Sequence, residues 1–279
     1  MLKYELMPEQ LIYEGTIKES QLFVPSLMTE SEILSTHSSA YLEKLKSLSL
    51  SKSEERKTGF PLSNQLVERE RIIMQGTLDA SLKAVEMGIA MNIAGGTHHA
   101  YRDRGEGFCL LNDIALSANH LLNNSIKKQI LVVDLDVHQG NGTASIFENE
   151  NRVFTFSMHG EHNYPLHKEK SDLDVGLPDG IEDAEYLKLL DFHLKNTLDR
   201  VQPDFIFYQC GVDILNTDKL GRLKVTFEGC KERDRMVFEQ AKENHIPMCC
   251  SMGGGYSEDI KVIVEAHCNT FRLASEIFF

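Results

Sequence analysis

The stretch ILVVDLDVHQGNGT, residues 130–143, decides how the chain is read. Ile130 to Val133 is an apolar, β-branched run of the kind found in parallel strands covered on both faces. The character then changes. Asp134, Asp136 and His138 alternate with Leu135 and Val137, and residues two apart in an extended chain point to the same side. Two carboxylates and an imidazole therefore leave one face of a strand as it ends. Gly140 and Gly142 are expected to allow tight turns there. Buried acid groups need a partner, because removing a bare charge from water costs roughly several kcal/mol. A divalent cation satisfies Asp136 and His138 together. An Asp-rich turn with a satisfied histidine is the plainer alternative.

Outward from this stretch, apolar runs recur with helical patterns between them. The runs are Met91 to Ala94, Ile130 to Leu135, Val153 to Met158, Phe205 to Cys210 and Pro247 to Met252. The helices are expected near Leu111 to Leu122, Asp183 to Val201, Thr226 to Asn244 and Glu258 to Ala274. Alternation of this kind predicts an α/β fold with a mainly parallel β-sheet and helices on both faces. No repeat or linker divides the chain, so residues 1–279 read as a single domain. The N-terminal part is mostly helical in pattern. Met1 to Leu22 offers Leu6, Leu11 and Ile12 as core positions. Thr29 and Glu32 form a capping-box pattern. Tyr41, Leu42, Leu45 and Leu48 lie at helical spacing. Ser47 to Thr58 is polar and charged and reads as an exposed loop ended by Gly59-Phe60-Pro61. Asn64 to Met91 reads as one broken or two consecutive helices.

A net charge of −13 argues against sequence-independent nucleic-acid binding and favours cationic substrates such as lysine-rich tails or polyamines. Six cysteines without a C-x-x-C motif suggest a reducing, cytoplasmic setting. No apolar run is long enough to span a membrane, and no signal peptide is visible.

The unusual polar residues follow the apolar runs. Gly95-Gly96-Thr97-His98-His99-Ala100 comes after the first, Asp134, Asp136 and His138 end the second, and Ser157-Met158-His159 ends the third. Gly211-Val212-Asp213 follows the fourth and Gly253-Gly254-Gly255-Tyr256 the fifth. Ligands of open α/β sheets bind outside the carboxyl ends of the strands. Asp136, His138 and Asp213 offer oxygen, nitrogen and oxygen, a set suited to Zn²⁺ or Fe²⁺ with an open position for catalysis. The adjacent His98 and His99 could supply a base for water, and Tyr256 a donor to a developing oxyanion.

Taken together, GGTHHA, GFCLLND, DLDVHQGNGT, GVD and GGGY resemble the zinc-dependent histone deacetylase family, over nearly the whole chain. That family has the arginase-like α/β fold and includes acetylpolyamine amidases and acetoin-utilisation proteins. The segment LMTESEILSTHSSAYLE from Leu27, with the QGNG form of the central motif, looks most like its class IV branch. The resemblance implies Zn²⁺, with Fe²⁺ as an alternative, on Asp136, His138 and Asp213. It implies His99 as general base, His98 as electrostatic or acid partner, Asp134 as the carboxylate orienting His98, and Tyr256 as the phenol polarising the scissile carbonyl. Gly107 and Phe108 match a wall of the acyl-lysine tunnel, with Leu220 at its rim, Tyr164 as the facing aromatic and Gly254 in the glycine turn. Ser157 and Met158, with the backbone of Asp134, Asp136 and His138, match a monovalent-cation site, implying K⁺. The implied partners are an acylated lysine in a protein or peptide, or a small acylated amine such as an acetylpolyamine, with neither nucleic acid nor membrane. An inactive acyl-lysine binder is disfavoured because no matching residue is missing.

Two departures stand out. Many relatives have an acid where this chain has Asn141, which the class IV pattern shares. Asn141 can still accept a hydrogen bond from His99, and the plainer reading makes it a turn residue of the QGNG loop. By the same resemblance, the family's first strand is expected to be absent before KYELMPEQ, by truncation or divergence. Elsewhere, His37, His120, His193, His245 and His267 read as surface or capping residues, and His159, His162 and His167 as loop polar groups. Cys109, Met158 and Met252 read as packing residues, and Glu68 to Arg71 as a solvated helix face.

Overall fold

The computed structural model describes residues 2–279. Six strands form its centre: β1 (Ile89–Asn92), β2 (Ile130–Asp134), β3 (Val153–Gly160), β4 (Leu173–Leu177), β5 (Phe205–Gln209) and β6 (Met248–Ser251). All pair in parallel, in the order β1-β6-β5-β2-β3-β4. Every residue of β2, β5 and β6 is buried, which is why those segments read as unbroken apolar runs. Their side chains alternate between two cores. Leu131, Val133, Tyr208 and Cys250 enter one; Ile130, Val132, Phe205, Phe207 and Cys249 enter the other.

Helices cover both faces. On one lie α1 (Lys3–Tyr13), α8 (Asp183–Val201), α9 (Phe227–Glu243) and α10 (Ile260–Phe278). Helix α8 shows the cause plainly: Tyr186, Leu190, Leu194 and Leu198 recur every fourth residue and are all buried. On the other face lie α5 (Asn64–Met87), α6 (Asp113–Asn123) and α7 (Asn141–Phe147). Outside α5 and α6, a third cluster joins them to α2 (Glu30–Leu34) and α3 (Ser39–Lys46) through Ile33, Tyr41, Leu42, Leu45, Met74 and Leu116, and α4 (Lys52–Thr58) follows α3 in the chain.

Several expectations are corrected. Ser47 to Thr58 is not a loop throughout. Ser51 Oγ accepts from Glu54 N at 3.3 Å while Glu54 Oε2 accepts from Ser51 N at 2.7 Å, and this reciprocal cap starts α4. Asn64 to Met87 is one unbroken helix, in which the buried Gly76 lets the helix approach β1 at Asn92. Strand β4 and helix α7 have no counterpart among the sequence expectations. β4 is an edge strand whose residues before Leu177 are only partly covered, so it lacks the apolar run of the others. In α1, Met7 and Leu11 are buried while Ile12 is exposed. Leu48 is also exposed. Thr29 does cap α2, accepting from Glu32 N at 3.2 Å.

The sheet order places the site. From β2 the chain runs outward through β3 and β4, then crosses back to β5 on the other side of β2. The order reverses between β2 and β5, and ligands of open α/β sheets bind outside the carboxyl ends of strands at such a switch point. Both strands that lead to the expected metal ligands therefore end side by side, with Asp134 level with Gln209.

Candidate metal centre and active site

Asp136 and His138 lie in the segment leaving β2, and Asp213 in the one leaving β5. His138 Nδ1 is 3.1 Å from Asp136 Oδ1 and 3.1 Å from Asp213 Oδ2. One donor atom from each residue falls within 4.8 Å of the others, and all three side chains are buried. Backbone amides fix the carboxylates: Val137 N donates to Asp213 Oδ1 at 2.9 Å, and Gly254 N donates to Asp136 Oδ2 at 2.9 Å. Burial acts against a charge on His138, but its hydrogen bonds to Asp136 and Asp213 outweigh this and raise its pKa to about 10. Burial, then Asp136, also raises the Asp213 pKa to about 7, so the cluster holds protons that a divalent ion would replace. The oxygen and nitrogen donors fit Zn²⁺ or Fe²⁺.

Gly140 sits in the expected tight turn, Asn141 N donating to Gln139 O at 2.8 Å across it, and both glycines of the central stretch also serve close approach. A Cβ on Gly140 would meet Asp134 Oδ2 and lie 3.3 Å from His98 Nδ1, while one on Gly142 would meet the Ala100 carbonyl. The start of α7 can therefore press against the loop carrying the histidines, where Thr143 N donates to His98 O at 3.1 Å. That loop is anchored by the buried Asp113, whose carboxylate accepts from Gly96 N, Thr97 N, Thr97 Oγ1, Thr77 Oγ1 and Ser251 Oγ.

His98 and His99 have different environments. His98 Nδ1 is 2.7 Å from Asp134 Oδ2. Burial disfavours its charge, but Asp134 and Asp136 outweigh that and raise its pKa to about 9. His99 Nδ1 is 2.6 Å from Asn141 Oδ1. Burial, then the neighbouring His98 and His138, hold its pKa well below the ordinary range. The pair thus differs in its partners, a carboxylate for His98 and an amide for His99.

Tyr256 is half-buried at the end of the glycine turn, and its backbone N donates to Asp218 Oδ2 at 2.6 Å. Burial, then Asp136 and Asp213, raise its hydroxyl pKa, so the phenol keeps its proton. Gly254 lies against the candidate ligands: a Cβ there would meet Asp213 Oδ2 and sit 3.0 Å from Asp136 Oδ2. Phe108 is 44% exposed with φ of 67°, and its ring centroid is 6.2 Å from that of Tyr256 and 5.5 Å from Phe60. A large aromatic held in the left-handed region at a cleft is a strained conformation of the kind found at functional sites. Helix α4 supports it: Gly107 N donates to Lys57 O at 2.9 Å and Phe108 N to Thr58 O at 3.0 Å. Gly107 itself rests on the His99 ring, where a Cβ would come 2.6 Å from Cδ2. Tyr164 packs edge-on to His99 at 5.0 Å and its hydroxyl donates to Glu106 Oε2 at 2.9 Å. Leu220 is exposed, and its N donates to the same Asp218 that holds Tyr256. Ser157 lies level with Asp134 across β2 and β3, and Met158 is buried beyond it.

Other polar residues fall differently from expectation. His37 is not a surface residue: it is buried, with Nδ1 3.0 Å from Tyr101 O and Nε2 accepting from Asn112 N at 3.0 Å. His267 is also buried, and among the described residues its ring nitrogens have no hydrogen-bond partner. His159 is buried against Ser157 Oγ at 2.9 Å. Glu70, expected on a solvated face, is buried; Arg69 donates to it at 2.7 Å, and burial raises its pKa to about 7. Cys109 is buried and burial raises its thiol pKa, in keeping with packing. Sequence reasoning passes over Asp113, Asp218, Glu106, Tyr101 and Glu169 as site-building groups. Only Asp113 carries a signal, as an acid within the apolar run Leu110 to Leu116.

The histone deacetylase domain family matches residues 2–271. An uncharacterised protein of Picosynechococcus sp. is 39% identical over 278 residues, covering 100% of this chain and 93% of its own length. Histone deacetylase 2 of Arabidopsis thaliana is 33% identical over 272 residues, 94% of this chain and 70% of that protein. Among solved structures, a histone deacetylase homologue in complex with SAHA superposes with a TM-score of 0.83 at 24% identity, over 98% of this chain and 77% of the other. That last likeness is one of fold.

Proposed function

The chain belongs to the histone deacetylase family, and we propose that, within that family's metal-dependent hydrolytic deacetylation, it removes an acetyl or longer acyl group from the side-chain amine of acyl-lysine. The observation carrying this reading is the unequal histidine pair, His98 Nδ1 held 2.7 Å from the Asp134 carboxylate and His99 Nδ1 2.6 Å from the Asn141 amide oxygen, beside the convergent donors of Asp136, His138 and Asp213. Those three residues would hold the ion, which when bound supplies Lewis-acid polarisation of the amide carbonyl and acidifies water. His99 takes the proton of the attacking water at Nε2. His98, kept charged by Asp134, steadies the developing negative charge and returns a proton to the departing amine. The Tyr256 phenol donates to the oxyanion. Gly107, Phe108, Tyr164 and Gly254 line the approach of the methylene stem, with Leu220 at the rim.

We place a monovalent cation, K⁺, beside Ser157 and Met158 and the backbone of Asp134, Asp136 and His138; the level register of Ser157 and Asp134 supports it. The class IV likeness rests on the segment from Leu27 and on the QGNG motif. Six free, buried thiols support a reducing, cytoplasmic setting, and among the described residues no helix is long and apolar enough to cross a membrane.

The test is steady-state turnover by zinc-loaded protein of acetyl-lysine and myristoyl-lysine peptides against acetylspermidine. Turnover of at least one peptide is expected. Asp213→Ala should abolish that turnover and the bound metal together, since two ligands do not retain zinc. Hydrolysis of acetylspermidine alone would replace the acyl-lysine reading with that of a small-amine deacetylase.

A further inference from the structure

We propose that Tyr101 and Glu169 are positioning residues that fix the orientation of the Asn141 amide and, through it, the tautomer of His99. The inference rests on the reading of His99 as the general base and adds what makes it competent.

An asparagine beside a histidine leaves an ambiguity that an aspartate does not. A carboxylate only accepts, so His98 must present Nδ1–H to Asp134. An amide has an accepting and a donating end. With its oxygen toward His99, Nδ1 carries the proton and Nε2 has a free lone pair. With its NH₂ toward His99, Nδ1 accepts, Nε2 carries the proton, and the base is disabled.

The structure removes this ambiguity from farther out. Asn141 Nδ2 donates to the Tyr101 hydroxyl at 3.0 Å, and that hydroxyl donates to Glu169 Oε1 at 3.0 Å. A carboxylate oxygen accepts, so the tyrosine proton points to it. The tyrosine oxygen is then left to accept, which calls for the NH₂ end of Asn141. The amide oxygen accordingly faces His99 Nδ1, 2.6 Å away. One polarity runs through the chain from Glu169 to His99, and each bond in it polarises the next.

Both outer residues are held in place. Tyr101 is buried, the Arg104 guanidinium lies 3.5 Å over its ring, and its carbonyl accepts from His37. Burial and the bond to Glu169 raise the phenol pKa, so the proton stays available. Glu169 is tied by its own backbone to Gln139: its N donates to Oε1 at 2.9 Å and its carbonyl accepts from Nε2 at 2.7 Å. Gln139 lies two residues before Asn141 on the same segment.

The experiment combines kinetics with ¹⁵N-histidine NMR on zinc-loaded protein. Wild-type His99 should show the Nδ1–H neutral tautomer. Tyr101→Phe should add an Nε2–H population and lower kcat by about tenfold or more, a histidine base in the wrong tautomer being severely impaired. KM and zinc content should be unchanged. Adding Asn141→Asp to Tyr101→Phe should restore the Nδ1–H tautomer and much of kcat, because an acceptor-only side chain needs no outer guide. Glu169→Gln, at a half-buried position, should give a milder form of the same change and serves if Tyr101→Phe fails to fold. Loss of kcat with the wild-type tautomer retained, or no rescue by Asn141→Asp, would overturn the proposal and leave Tyr101 a packing residue. A fully active His99→Ala enzyme would instead overturn the reading of His99 as base.

Discussion

Tyr256 shows how much a single residue discloses through its sequence neighbours alone. It ends a run of three glycines after an apolar strand, and its chemistry there is that of a phenol at a strand end. The fold adds why it remains a phenol: burial and the carboxylates of Asp136 and Asp213 hold its proton in place. Removing that donor should cost what oxyanion donors usually cost. Tyr256→Phe is expected to lower kcat by about 10²–10³ while zinc stays bound; a metal-loaded variant with unchanged kcat would rule the role out. The residues that stand out in the sequence do so because acids and imidazoles are rare after buried strands. Those that do not are misread because their environment is tertiary. His37, His267 and Glu70 sit on helical or turn patterns that look solvated, and become buried only when another element lies over them.

At the scale of elements, the long helices are legible because their apolar spacing is regular, as in α8, whose limits match expectation. Helix α4 is hidden by its polar composition, although its Ser51–Glu54 cap and terminal Gly59 are both in the sequence. One side chain of α9 could not have been placed by pattern at all. Arg233 is fully buried and donates to Leu135 O at 3.3 Å, Gly211 O at 2.5 Å and Cys210 O at 3.4 Å, while Asp234 neutralises it at 2.8 Å. These carbonyls belong to the ends of β2 and β5, next to Asp136 and near Asp213. The guanidinium therefore ties together the strand ends that carry the proposed metal ligands. Outer groups of this kind typically contribute about 10–100-fold to metal affinity. Arg233→Lys is expected to weaken zinc binding within that range in competition with a chelator. Thr270→Val, which takes only the 2.7 Å bond from Asp234 Oδ2, should lower stability and leave zinc affinity as it was. Equal zinc affinity in Arg233→Lys and wild type would remove the clamp from the account.

For the molecule as a whole, the repeated strand and helix pattern leads to the right sheet class, but the order β1-β6-β5-β2-β3-β4 requires knowing which strands meet. Polar ties join distant segments, and those of His37 can be measured. It follows α2 and bonds to Tyr101 O on the histidine loop and Asn112 N at the start of α6, across sequence separations of 64 and 75 residues. Burial lowers its pKa to about 4, against an ordinary 6.5. A histidine depressed in the folded state is neutral in both states above pH ~6.5, so its two hydrogen bonds stabilise the fold fully there. As pH falls from about 6.5 toward 4, the unfolded chain takes up a proton that the native one refuses, and the balance moves toward unfolding. At about 1.4 kcal/mol per unit of difference, the loss by pH 4 is about 3 kcal/mol. His37→Gln cannot titrate, so it lacks this acid-dependent loss. Urea unfolding of the two proteins should show wild type clearly more stable at pH 7.5, with the gap narrowing steadily toward pH 4.5. A gap that stays constant across that range would mean that His37 is protonated alike in both states, and that another buried group sets the acid limit of the fold.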